Sequence, residues 1–403
     1  MAIVPSHPWH VSLGTDQRIL NLVVPLQNFD LELHYVDPYN NVPLAENDKL
    51  HIHRLVKNVA SKSRILKTIY RTTRWIFNNP FWARQTLYWD RFLEQAAISY
   101  AKRLYEPLRE IDPDIIFAEH DMAGIACIKL RKRLNIPVIV DFPGVWSEEM
   151  MASGAIRRGS RQAKNLKEFD GTIVRNADML TVVSEEMKTF LVNRYDLSED
   201  RLVVLLPSSV PRVEEAKRVE NPSKIVVSGM ATYRERLDLI IRAMPIIRRE
   251  HPSSELYLTK KGDILNEVRK LANRLNVHPN YFYIPSPEDF YRFLSECHIG
   301  VLTSSTDITR LMSYPAKLYD YFSVGLPVVA NDIGGWTKII RGKGVGILTE
   351  SDPKSLAQGI LTLLRNPSMI YELGQRGLDL LRTELNPDRP AKILYDTCKK
   401  LIN

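Results

Sequence analysis

Cysteine is scarce. Three occur in 403 residues, Cys127, Cys297 and Cys398, far apart and odd in number. Neither a disulfide framework nor a Cys-rich zinc site is expected, and a reducing compartment fits best. Long apolar runs are absent too. None approaches the ~18–20 residues that span a bilayer. The opening M-A-I-V-P-S-H-P-W-H lacks a basic segment followed by an apolar one, so a signal peptide is not expected. The 18 glycines and 24 prolines follow no period, which sets aside collagen-like and low-complexity classes. No internal repeat of about 20–50 residues is visible.

The rest is an ordinary globular balance, 44% hydrophobic and 25% charged. That excludes wholesale disorder, and the length suits two domains. The formal charge of +8 points to a polyanionic partner: nucleic acid, anionic lipid or a phosphorylated substrate. The expected location is the cytosol, or the cytosolic face of a membrane as a peripheral protein.

Short β-rich apolar runs alternate with longer helical stretches. Strands are expected at 2–4, 31–36, 115–118, 138–141, 179–183 and 202–206, then at 225–228, 255–258, 281–284, 299–302, 327–330 and 346–348. Helices include 17–26 and 92–110. Continuous apolar strands separated by helices imply α/β architecture with parallel sheets covered on both faces. Pro207 to Pro211 and Asn221 to Ser223 bracket a charged, strandless stretch that reads as a linker over 207–223. The expected plan is a first domain over 1–206 and a second domain over 224–385, both doubly wound and facing a cleft. A helix near 386–403 is expected to pack back on the first domain. Sites in such sheets lie beyond the carboxyl ends of the strands.

Residues 314–335 read Y-P-A-K-L-Y-D-Y-F-S-V-G-L-P-V-V-A-N-D-I-G-G. Lys317 and Asp320 are three apart and share a helix face. A helix N-terminus suits phosphate, Lys317 adds a positive charge, and Asp320 can accept hydrogen bonds from a ribose diol. Gly334 and Gly335 let backbone amides approach an oxyanion.

This stretch resembles the donor-site signature of the retaining GT-B glycosyltransferases of family 4. Residues 177–188, 202–210, 227–243 and 114–146 resemble further parts of the same family. The resemblance implies transfer of a sugar from a nucleoside-diphosphate sugar to a glycan or lipid-linked acceptor, without metal and without any other cofactor. It implies donor contacts from Gly229, Lys317, Asp320, Gly334 and Gly335, and a loop at Gly14 near the acceptor or diphosphate. The family's first acid of an E-x7-E pair is Met312 here. Its diphosphate-binding lysine is replaced, and Arg234, Glu235 and Arg236 precede Leu237-Asp238. One of Arg234 and Arg236 is expected to substitute, since a guanidinium grips phosphate through two hydrogen bonds.

In the first half, Asp141 ends a strand and is assigned as the carboxylate nearest the reacting centre. His120, between Glu119 and Asp121, is the second catalytic candidate, as a base or an acceptor ligand. Asp112-Pro113-Asp114 matches a metal-binding D-x-D in letters only, because it precedes a strand. A sugar-nucleotide epimerase or hydrolase on the same frame is the alternative. No RNA-recognition or helix-turn-helix signature is present, so no nucleic-acid partner is expected. Between Arg54 and Arg74 lie seven basic residues and no acid. Lys57, Arg64, Lys67, Arg71 and Arg74 fall on one helical face, with Trp75, Phe77, Phe81 and Trp82 nearby. That pattern suits an anionic membrane surface, with a second basic stretch at Arg157, Arg158, Arg161, Lys164 and Lys167.

Overall fold

The computed structural model describes residues 1–5, 14–37, 44–55 and 89–402, with side chains at 14–17 and 89–92 left aside. Lys57, Arg64, Lys67, Arg71 and Arg74 lie outside the described residues. The chain forms two compact units. One comprises Met1–Leu205 with Ala391–Asn403, the other Leu206–Pro390.

The first unit runs β1 (Ala2–Val4), α1 (Gly14–Leu26), β2 (Leu33–Asp37), β3 (Leu50–Arg54), α2 (Trp89–Ile111), β4 (Ile116–Glu119), α3 (His120–Leu134), β5 (Val138–Phe142), α4 (Trp146–Ala152), α5 (Arg161–Asn176), β6 (Met179–Val182), α6 (Glu185–Tyr195) and β7 (Leu202–Val204). Among the described residues its seven strands lie in the order β3-β2-β1-β4-β5-β6-β7, all parallel. Alternation along the strands sends Ile3, Phe117 and Ile139 to one face, against Ile19, Leu22 and Leu26 of α1. Leu394, Tyr395 and Cys398 join the same cluster from the last helix, α15 (Asp388–Ile402). Val140 points the other way, toward Gly124 of α3 and Ile173 of α5. A Cβ on Gly124 would lie 2.9 Å from Val140, so the missing side chain sets how closely that helix approaches.

The second unit runs β8 (Lys224–Val227), α7 (Leu237–Glu250), β9 (Glu255–Thr259), α8 (Leu265–Arg274), β10 (Asn280–Phe282), α9 (Pro287–Ser295), β11 (Ile299–Leu302), α10 (Ile308–Met312), α11 (Ala316–Ser323), β12 (Val328–Asn331), α12 (Thr337–Lys343), β13 (Gly346–Thr349), α13 (Pro353–Leu364) and α14 (Pro367–Thr383). Its sheet order is β10-β9-β8-β11-β12-β13, again parallel. The amphipathic α7 buries Leu237, Ile240, Ile241, Met244 and Ile247 against it. Helix starts follow the local chemistry. Ser160, Ser184 and Ser286 each accept a hydrogen bond from the backbone N–H three residues on.

The stretch read as a linker is strandless, as expected, but it is no free spacer. Ser209 N–H donates to Leu385 O, Arg212 N–H to Ser323 O, and Ala216 N–H to the Gln375 side chain. It straps the surface of the second unit, and Ala216 is buried there against Gly325 and Gly374.

Candidate active site

Strand order reverses direction at β8 and β11 in the second unit, and at β1 and β4 in the first. The loops leaving such neighbouring strands diverge, and the gap between them is where a doubly wound sheet takes its ligand. In the second unit those loops are 228–236 and 303–307. Thr303 Oγ1 donates to Glu235 O at 2.5 Å and Ser305 N–H to Arg234 O at 2.9 Å, so the two loops are tied across the reversal. Beneath them, Ser228 N–H and Oγ both donate to the Tyr321 hydroxyl. The Asn331 side chain bridges Ser304 N–H and C=O at 2.8 Å each.

Glu235 sits at the centre of this junction, 7% exposed. One oxygen accepts from Lys317 Nζ and the other from Arg310. Burial alone would raise its pKa, but the charges and hydrogen bonds of Lys317 and Arg310 outweigh that and hold the carboxyl below its usual range. Lys317 reaches Glu235 alongside Gly229, whose φ is +95°. A Cβ there would lie 3.2 Å from Lys317 Cε. Arg310 Nε is buried with no hydrogen-bond partner among the described residues. The Gly334–Gly335 turn lies against the same helix. Gly335 N–H donates to Leu311 O, and a Cβ on Gly334 would lie 2.8 Å from Arg310 O.

The structure therefore brings Gly229, Lys317, Gly334 and Arg310 together. It corrects three expectations about them. Lys317 is buried and ion-paired with Glu235 instead of standing free for a phosphate. Arg236 is forked onto Asp238, Nε to Oδ1 at 2.9 Å and Nη2 to Oδ2 at 3.0 Å, so its guanidinium is committed to starting α7. Arg234 is freer, with a 3.3 Å contact to Thr309 Oγ1. Asp320 accepts from the Tyr291 hydroxyl at 3.0 Å instead of standing open for a ribose. Burial pushes its carboxyl up to about 6, against the Tyr291 hydrogen bond and the charges of Arg212 and Lys317. Glu235 and Arg310 were missed as site residues. Their signal in the sequence is slight, an acid between two arginines and an arginine beside Met312.

In the first unit, Asp141 does end β5, but its oxygens are taken. Arg18 of α1 donates Nε to Oδ2 at 3.0 Å and Nη2 to Oδ1 at 2.9 Å, and Thr181 Oγ1 donates to Oδ1 at 2.6 Å. Arg18 also reaches Leu205 O. The pair is buried, Asp141 to 1%. This carboxylate anchors α1 to the sheet and is not a free catalytic group, which corrects the catalytic assignment. Glu148 is similarly held by Arg194 and Arg158. His120 stands at the end of β4, at the strand reversal, with φ +56°. Its ring contacts the Asp121 carboxylate and stacks on Phe142 with 6.0 Å between centroids. A non-glycine residue in left-handed backbone is uncommon and gathers at functional sites. Gly14 opens α1. Among the described residues, no three His, Cys, Asp or Glu side chains form a metal-holding group.

The comparisons with known proteins now bear on this geometry. A family model described as "Glycosyl transferases group 1" matches residues 222–366, and one described as "Glycosyltransferase Family 4" matches 78–208. The chain is a glycosyltransferase, similar in its second half to the group 1 model and in its first half to the family 4 model. An uncharacterized glycosyltransferase of Haemophilus influenzae is 20% identical over 286 residues, which is 70% of this chain and 76% of that one. A chitobiosyldiphosphodolichol beta-mannosyltransferase of Candida glabrata is 24% identical over 229 residues, 49% of this chain and 50% of that one. The chain thus spans half the length of the second relative. In solved structures, HepE of Anabaena in complex with UDP-glucose superposes with TM-score 0.66 at 13% identity, over 99% of this chain and all of that one. That likeness shows the fold: two parallel-sheet Rossmann-like domains of the GT-B kind.

Proposed function

We propose that this glycosyltransferase takes its sugar from a nucleoside-diphosphate sugar and keeps the anomeric configuration. It does so without metal and delivers the sugar to a glycan or lipid-linked acceptor. The observation that carries this reading is the convergence of Lys317 and Arg310 beside Gly229 at the strand reversal of the second unit. A buried lysine, a partly buried arginine and a glycine that clears room for the lysine suit a diphosphate. In the transfer, the bond between the anomeric carbon and the diphosphate oxygen breaks and the diphosphate leaves with the electron pair. The acceptor oxygen then bonds to the carbon and loses its proton. Lys317 and Arg310 stabilise the departing charge, the term that usually dominates such catalysis. In this reading His120 orients the acceptor hydroxyl, supported by its position at the strand reversal of the first unit. The UDP-glucose held by HepE and the dolichol diphosphate in the yeast relative's name support the donor and lipid-linked acceptor classes.

The test is a thermal-shift screen of the full chain across UDP-, GDP- and ADP-sugars. A true donor raises the melting temperature by mass action. Proton NMR of the product should show the donor's anomeric configuration, with turnover unchanged in EDTA. An inverted product or a chelator-sensitive rate overturns those two parts separately.

We also propose peripheral attachment to an anionic membrane surface. Support among the described residues comes from Arg157, Arg158, Arg161 and Lys164, all exposed at the start of α5. No described helix is long and apolar enough to cross a membrane. Vesicle co-sedimentation should rise with anionic lipid and fall with salt. Equal binding to neutral vesicles rules it out.

A further inference from the structure

Glu235 is the odd member of the cluster. A site built for a polyanion has a buried carboxylate at its centre. Its backbone is pinned, by Thr303 on its own carbonyl and by Ser305 on that of Arg234. Its two oxygens each hold a different cation, as two oxygens of a phosphate would. Arg310 still carries an unmet buried Nε–H, a donor with nothing to donate to. Two cations and one anion leave the cluster a single net positive charge.

We propose that Glu235 is an internal stand-in for the diphosphate. It occupies Lys317 and Arg310 while the site is empty and yields them when the nucleoside diphosphate moiety arrives. Each binding event then exchanges one anion for another instead of filling an open cation pair, and the net gain is smaller. The effect weighs most on the product. A released nucleoside diphosphate has a terminal phosphate that the sugar no longer masks, so bare cations would hold it more tightly than the substrate. Glu235 lowers that affinity and lets the product go. This inference rests on the sugar-nucleotide reading.

The experiment measures binding of inorganic pyrophosphate, UDP, GDP and ADP to the full chain by calorimetry, together with product inhibition. Wild type is compared with Glu235→Gln, Arg310→Gln and the double variant. Glu235→Gln should bind the accepted nucleoside diphosphate about tenfold more tightly or better, the scale of one charge-assisted hydrogen bond. Its KM and kcat should fall together, because release becomes limiting. The double variant should bind more tightly than Arg310→Gln alone. Should Glu235→Gln fold poorly, saturating pyrophosphate should raise its melting temperature more than it raises that of wild type. Equal or weaker binding by Glu235→Gln, or an equal or smaller thermal shift, overturns the proposal. Failure of folded wild type to bind any of the four probes overturns the sugar-nucleotide reading itself, a separate result.

Discussion

Among single residues, the sharpest distinction is between charges held for ligand and charges held for the fold. Under the proposed function, Lys317 belongs to the first kind. Lys317→Met should weaken nucleoside diphosphate binding about 10–100-fold, the value of a charge-assisted bond, as read by calorimetry. Gly229→Ala should weaken it as well. It places a Cβ on a φ of +95° and 3.2 Å from Lys317 Cε, so both the loop and the lysine must shift. Asp170 is a titratable group held for the fold, and held largely uncharged. It accepts from Ser147 N–H at 3.0 Å, and burial pushes its carboxyl up to about 7 from 3.8. The native state therefore keeps a proton that the unfolded chain has lost. Stability contributed by the protonated form is present below pH 3.8 and drains as pH rises to about 7. Asp170→Asn keeps the acceptor and removes the titration. Its urea midpoint should exceed that of wild type at pH 8 and the two should converge at pH 4. The three cysteines are all buried, and burial pushes Cys297 and Cys398 each to about 12, so none is a ready nucleophile.

The elements show why Asp141 misled the sequence reading. A carboxylate at the end of a central strand looks catalytic, and only the fold reveals that Arg18, 123 residues earlier, takes both oxygens. Asp141→Asn should cost about 3–5 kcal/mol in urea unfolding, since it strands a buried guanidinium. A variant that is equally stable but inactive would instead make Asp141 a catalytic group. The strands themselves were largely legible. Continuous apolar runs gave β5, β11 and β12 within a residue, because burial on both faces leaves no other pattern. β3 was missed, since L-H-I-H-R is short, places two histidines, His51 and His53, on one face and ends in Arg54. Lys317 and Gly229 were legible from local chemistry. Arg310 and Glu235 were not, because their pairing depends on two loops that meet only when strand order reverses. Among the described residues the donor-side geometry is thus a product of topology as much as of motif.

At the scale of the whole molecule, the chain enters the second unit after Leu205 and returns to the first at Ala391. The returning helix, α15, buries Ala391, Leu394, Tyr395 and Cys398 in the first unit's core. Ending the chain at residue 387 should therefore destabilise the first unit and spare the second, because loss of a single buried leucine side chain already costs about 2–5 kcal/mol. Calorimetry should show one transition moving down and the other staying. Along the sequence the second unit interrupts the first like a clause in parentheses, with its own entry and exit stitched by Ser209 N–H to Leu385 O at 3.1 Å. A protease that nicked the chain near residue 206 would leave two fragments, one carrying the second unit with α15 still attached. The docked helix would act as a plug, keeping the cut protein whole in native solution and releasing it as two pieces only in denaturant.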